Sequence, residues 1–211
     1  MAKISSDNPL IGASGKIGNL VTYTLNGEQI IRKSPSRPRK FKASTLQQQH
    51  FNTFAAQHDF AKNIKKDIID PIWSLEPMPV GLNPYNYFIK CNRNAFGKSY
   101  HIEFPELMVL SLGKLLPVEE LSFSLHENSV QLSWNNTNLN NYANADDKLH
   151  LVLLIDKQCI LFIDNDTTRA DGKFEFDVSK LTGSVVEGFI YWSTAKYLMY
   201  SPSVYFKVTR P

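Results

Sequence analysis

Cysteine is scarce in this 211-residue chain: there are two, Cys91 and Cys159, far apart. Their spacing gives neither a disulfide framework nor the CxxC pairs of a zinc or redox centre. Cys91 falls in an expected helix and Cys159 in the apolar run CILFI, settings where a free thiol behaves as a small hydrophobe. The five histidines, His50, His58, His101, His126 and His150, show no paired-ligand spacing. His50 and His58 stand eight residues apart, where a helical metal pair needs four. The GxSxG, HExxH and CxxC signatures are all missing. The expectation is therefore a protein that is not an enzyme and holds no cofactor. No run approaches the ~20 apolar residues of a membrane-spanning helix. The start, MAKISSDNPLIGASG, lacks the apolar stretch of a signal peptide. These absences lead us to expect a soluble chain without membrane insertion, cytoplasmic by default, with an extracellular or virion-associated place as the alternative.

What is present suffices for a packed core: 43% hydrophobic and 12% aromatic residues. Charge is uneven. Up to Pro105 there are 14 Lys/Arg and 7 Asp/Glu, a net +7; from Glu106 onward there are 9 and 13, a net −4. A basic half followed by an acidic half suits two domains, expected at 1–105 and 106–211, or two surfaces that meet.

The stretch Gly12–Ser34 is the most individual in the chain. Gly12, Gly15 and Gly18 recur every three residues. A phosphate-binding loop would need a glycine five residues before Gly15-Lys16 and Ser or Thr after it, and those positions hold Leu10 and Ile17. The glycines read instead as places where the backbone turns or closely approaches a neighbour. From Asn19 the pattern alternates, and Asn26-Gly27 is a strong two-residue hairpin signal. That loop pairs Leu25 with Glu28, Tyr23 with Ile30 and Val21 with Arg32. One face then carries Val21, Tyr23, Leu25 and Ile30 and requires cover, because a lone two-stranded ribbon is marginal in water. Residues 32–42, RKSPSRPRKFK, hold six basic side chains, Arg32, Arg37, Arg39 and Lys40 among them, but Phe41 alone to stack on a base. A solvated connector, or contact with an acidic protein surface, outranks nucleic-acid binding there.

Ser44 and Gln47 form a capping box before a helix of about 25 residues. Its expected apolar stripe is Phe51, Phe54, Ala55, His58, Ala61, Ile64, Ile68 and Ile72, with lysines toward the C-terminus. Asn83-Pro84 starts a second helix, with Tyr85, Phe88 and Phe96 as its apolar side and Gly97 as its stop. The fold expected for this half is an α+β unit of one hairpin and two helices. After it come strand-like runs near 107–112, 121–126, 129–134, 148–156, 158–164, 173–178, 186–194 and 203–209, the signature of an all-β antiparallel sandwich. Asp164, Asp166, Thr168 and Glu175 echo the spacing of a calcium loop, but Arg169 stands where the sharp turn needs glycine. An ordinary polar loop is expected, and Asp146-Asp147 reads as the lead into a strand.

The series from Leu121 resembles a fibronectin type III or immunoglobulin-like module, with Trp134 ending the second strand, Tyr191-Trp192 in the sixth and Ser201-Pro202-Ser203 leading into the last. The start, Gly15-Lys16-Ile17-Gly18-Asn19, Val21, Tyr23, Asn26-Gly27, Gln29 and Arg32, resembles an uncharacterised family found mainly in Bacteroidota. Thr45-Leu46-Gln47-Gln48-Gln49, Asn83-Pro84-Tyr85-Asn86 and Ala145-Asp146-Asp147-Lys148 extend that resemblance along the chain. It implies no activity and no catalytic residues. Its setting suggests a cell-surface, secretion-associated or phage-derived assembly.

The function expected is a non-catalytic protein-interaction or structural accessory role. The partner face is Val21, Tyr23, Leu25 and Ile30 with Arg32, Arg37, Arg39 and Lys40, and the partner is another protein or a second copy of this chain. Nucleic-acid binding through 32–42 is the alternative. So is carbohydrate binding by the sandwich through aromatics such as Trp192 or Tyr197, although both read more naturally as core or sheet-face residues.

Overall fold

The computed structural model describes residues 2–3, 10–25, 27–35, 42–98, 100–137, 139–157, 159–179, 181 and 185–209. It divides into two compact units, Met1–Ser44 and Thr45–Pro211.

The first unit is an antiparallel sheet of β1 (Ala2–Lys3), β2 (Gly15–Ile17), β3 (Leu20–Leu25) and β4 (Glu28–Lys33), in the order β1-β4-β3-β2. β3 and β4 place Leu25 opposite Glu28, Tyr23 opposite Ile30 and Val21 opposite Arg32. This is the register that a two-residue loop at 26–27 dictates; Asn26 lies outside the described residues. A second two-residue turn, Gly18-Asn19, joins β2 to β3 with Ile17 opposite Leu20. Gly18 has φ 60°, the positive value that glycine supplies at the first central position of a II′ hairpin loop. The stretch expected merely to lead into the hairpin is thus itself a strand of the sheet. A Cβ added at Gly12, Gly15 or Gly18 would meet nothing within 4 Å. These glycines serve turning of the backbone; close approach is not their role.

The second unit begins with α1 (Thr45–Asn63), which passes through a π-helical turn at Lys65–Ile69 into α2 (Asp70–Ile72) and a 3-10 turn at Trp73–Leu75. In the π-turn the Ile69 N–H reaches the Ile64 carbonyl at 3.3 Å. The extra residue in that turn lets Ile64, Ile68, Ile69 and Ile72 all become buried. The other end of the expected stripe behaves differently: Phe51 and Phe54 are 52% and 60% exposed, while Ala56 and Phe60 are buried. The steps 58–61–64 are consecutive three-residue steps, each rotating the stripe by roughly 60° at 3.6 residues per turn. The stripe therefore winds off its own face. α3 (Pro84–Cys91) starts as expected, with the Asn83 side chain accepting from the Asn86 N–H at 2.8 Å and Pro84 in the first turn.

Two antiparallel sheets follow. One contains β5 (Ser122–His126), β6 (Ser129–Ser133) and β9 (Lys173–Asp177) in the order β5-β6-β9. The other contains β7 (Lys148–Ile155), β8 (Cys159–Ile163), β10 (Val185–Ser193) and β11 (Val204–Thr209) in the order β11-β10-β7-β8. Val130, Leu132 and Phe176 from the first sheet share a core with Leu151, Ile190, Trp192 and Phe206 from the second, which makes a sandwich. The four-stranded sheet is covered on its other face as well. There Val152, Leu154, Phe189 and Tyr191 pack with Phe60, Ile64, Ile68, Trp73 and Phe88 of the helical layer. After Val185 every residue of β10 is buried, which explains why VVEGFIYWS lacks the polar alternation of a half-solvated strand.

The division expected after Pro105 runs through this second core, so helices and sandwich form one compact unit. Residues 107–112, expected as a strand, are not one. Met108 and Leu110 are buried, but side chains satisfy the backbone there. Asn92 accepts from the Val109 N–H at 2.7 Å and donates to its carbonyl at 3.0 Å; the Trp73 indole donates to the Leu110 carbonyl at 3.0 Å. The Ser203 hydroxyl accepts from the Leu110 N–H at 3.0 Å. With both polar groups of the chain partnered, no neighbouring strand is needed.

Phe189→Ala removes side-chain volume from the helix-facing core and Ile190→Ala from the core between the sheets. We expect losses of about 3–5 and 2–5 kcal/mol respectively. Urea unfolding followed by far-UV circular dichroism and by tryptophan fluorescence should give one coincident, shifted transition for each variant. Separate midpoints for helices and sandwich would contradict the shared sheet.

Candidate functional site

Part of the expected partner face lies within the described residues. Tyr23 and Ile30 are cross-strand partners; Ile30 is buried, Val21 and Tyr23 are half-buried, and Leu25 is exposed. The Arg32 guanidinium lies over the Tyr23 ring, 5.4 Å from its centroid. Arg37, Arg39 and Lys40 fall outside the described residues. On the opposite face Thr22 is buried and its hydroxyl donates to the Gly15 carbonyl at 3.3 Å, while Ile17 and Leu20 are exposed.

Sequence reasoning missed the role of Gln29. Its amide donates to the Leu10 carbonyl at 3.1 Å and to the Ala13 carbonyl, and its Oε1 accepts from the Gly12 N–H at 2.5 Å. One side chain on β4 therefore folds the 10–13 turn back over the hairpin. The cue was a glutamine two residues after Gly27, but no local pairing rule links it to residues 16 to 19 positions earlier.

The candidate calcium loop is used otherwise. Arg169 is buried, with Nε donating to Asp147 Oδ2 at 3.2 Å, Nη2 donating to the Leu116 carbonyl at 3.0 Å, and the guanidinium 4.7 Å from the Trp192 ring centroid. Desolvation holds the arginine below its ordinary pKa, and Asp147 opposes that shift. Asp171 accepts from Thr168 to cap a 3-10 turn, and Glu175 accepts from Ser129 of the neighbouring strand at 2.5 Å within the three-stranded sheet. Among the described residues no three His, Cys, Asp or Glu side chains are placed to hold a metal ion. Trp192 is fully buried beside Trp134, 5.2 Å between ring centroids, so it is no platform for a sugar.

A site that sequence reasoning assembled only in fragments lies where the helical layer meets the outer face of the four-stranded sheet. It is a groove of about 550 Å³ lined by Asp67, Pro71 and Ile72 from the helical layer and by His150, Phe162, Asp164, Tyr191, Tyr197 and Tyr200 from the sheet side. His150 stacks on Tyr191 with 4.9 Å between centroids and 8° between planes, and its Nε2 is 2.8 Å from the Ser193 hydroxyl. Tyr197 stands in the turn after β10 with φ 55°, which is uncommon for a bulky side chain; the Thr194 hydroxyl accepts from the Leu198 and Met199 N–H groups to hold that turn. The Lys148 ammonium lies 5.4 Å from the Tyr197 ring centroid. The residues come from four sequence regions, and no single motif announces them.

No family model matches the sequence, and a search of curated proteins returned no match. Among the described residues no helix is long and apolar enough to cross a membrane.

Burial, reinforced by Lys148, lowers the His150 pKa from 6.5 to about 4. The unfolded chain therefore binds a proton that the folded chain refuses, so this contribution is fully present above pH 6.5 and is lost as pH falls toward 4. The decline should amount to about 3 kcal/mol at most, from 1.36 kcal/mol per pKa unit. Urea midpoints measured from pH 7 to 4 should fall accordingly, and His150→Gln should flatten that slope.

Proposed function

We propose that the protein is a non-catalytic interaction module whose N-terminal sheet docks onto a protein partner within a larger assembly. One observation carries this reading. The first unit, taken by itself, holds Ile11, Ile17, Leu20 and Leu25 between 40% and 53% exposed. A unit this small buries a smaller share of its surface than a full-sized domain does, and chains near 40 residues commonly depend on oligomerisation or another staple. Exposed apolar surface of this kind marks interaction sites. In the second unit Leu46, Phe51 and Phe54 add an apolar stretch on α1 that is equally uncovered, at 52–67%. β2 is an outer strand of the N-terminal sheet, so strand addition is the simplest docking mode.

The sandwich would be the scaffold that carries this sheet. We assign it a fibronectin type III-like arrangement: its first, second and fifth strands make one sheet, and its third, fourth, sixth and seventh the other. That assignment supports a display role and no particular chemistry. The assembly suggested by the Bacteroidota resemblance is at the cell surface, associated with secretion, or derived from a phage.

Tyr23→Asp and Leu25→Asp place a carboxylate on the docking face. Each should reduce recovery of the native co-purifying partner by about tenfold or more, the effect expected when an interface anchor is lost, while the circular dichroism spectrum is unchanged. Partner sets identical to wild type, from well-folded variants, would clear the hairpin of this role.

A further inference from the structure

The groove between the helical layer and the sheet has a chemistry of its own, independent of the N-terminal sheet. Its volume of about 550 Å³ lies within the range of small-molecule sites. The rings of Phe162 and Tyr197 are 37% and 47% exposed, while Tyr191 and Tyr200 are buried. Its ionised groups are the carboxylates of Asp67 and Asp164, and among the described residues neither forms an ion pair. Asp67 sits in the π-helical turn, a feature that frequently marks functional sites.

We propose that this groove binds an organic ammonium cation, an alkylammonium or quaternary ammonium head seated against the Phe162 and Tyr197 rings with Asp67 and Asp164 as counter-charges. Three observations select this class of ligand. Aromatic faces attract cations through the ring quadrupole, and aromatic enclosures bind quaternary ammonium groups by that force. The protein already places a cation beside this ring: from the adjoining recess the Lys148 ammonium lies 5.4 Å from the Tyr197 centroid and donates to the Tyr197 hydroxyl at 3.5 Å. The carboxylates accept hydrogen bonds and carry negative charge, which suits an N–H donor or a bare cation. Burial pushes the His150 pKa down to about 4, so near pH 7 the imidazole adds no positive charge; the two carboxylates face the one ammonium of Lys148 in the adjoining recess.

The full-length protein titrated with choline chloride, monitored by ¹H–¹⁵N spectra, should show saturable shifts at Phe162, Tyr197 and their neighbours. The neutral isostere 3,3-dimethylbutan-1-ol should bind about tenfold more weakly, the difference that the positive charge contributes at a partly desolvated aromatic site. Tyr197→Ala and Asp164→Asn should each weaken choline binding at least several-fold, whereas Leu198→Ala, on an exposed neighbour, should leave it unchanged. Nα-acetyl-lysine methylamide binding more tightly than choline would identify the cation's source as a protein side chain, and the reverse order a free metabolite. Three results would overturn the proposal: no saturation with either cation, equal binding of the neutral isostere, or saturable binding of maltose in their place.

Discussion

The four-stranded sheet has no solvent face over its two central strands, and the rest of the second unit is arranged to meet that demand. β10 and β7 present Ile190, Trp192, Leu151 and Leu153 to one core and Phe189, Tyr191, Val152 and Leu154 to the other. A sandwich sheet usually spares one side for water. Here a helical layer built on Phe60, Ile64, Ile68, Trp73 and Phe88 takes that side. At Gly188 a Cβ would come within 2.3 Å of the Val152 carbonyl, so the strands meet closely at mid-sheet. The connection at 108–112 is drawn into the same constraint. Ser111 donates to the Ser201 carbonyl at 2.7 Å, and Ser201 in turn accepts from the Trp192 N–H at 2.9 Å.

Much of this was legible, and what was not has definable causes. Alternation and turn chemistry located seven strands of the sandwich and set the hairpin register, because period-two patterns and two-residue loops are local signals. The helical layer's place on the sheet was written in β10 and β7 as an absence of polar alternation, a cue that also fits a buried helix. Residues 107–112 have the composition of a strand, but Asn92, Trp73 and Ser203 occupy their polar groups, and these partners lie 17 to 93 residues away in sequence. Phe51 and Phe54 fit a three-and-four spacing yet face outward, because spacing alone does not record how far a stripe has rotated.

The candidate sites divide along the same line. The hairpin face came from pairing rules within a dozen residues, and its members stand together on one side of the sheet. The groove depends on Asp67, His150, Phe162 and Tyr197, which only the three-layer packing brings together. The apparent calcium loop shows the converse. Its carboxylates are close in sequence, yet among the described residues no three such side chains are placed to hold a metal ion, and the arginine that spoils the motif anchors the interior through Asp147 and Trp192.

The clamp at Gln29 carries a consequence for the chain's chemistry over time. A carboxamide both donates and accepts, and this one donates to two carbonyls while accepting from an amide hydrogen. Hydrolysis of that amide would leave a carboxylate, which has no proton to give and would stand against the oxygens of Leu10 and Ala13. The same outline and volume would then repel the turn they now hold. That nitrogen ties the opening loop to β4 alongside the backbone bond from the Ala13 N–H to the Leu10 carbonyl, and ageing of the side chain would loosen the tie while leaving the backbone pairing of β3 and β4 in place.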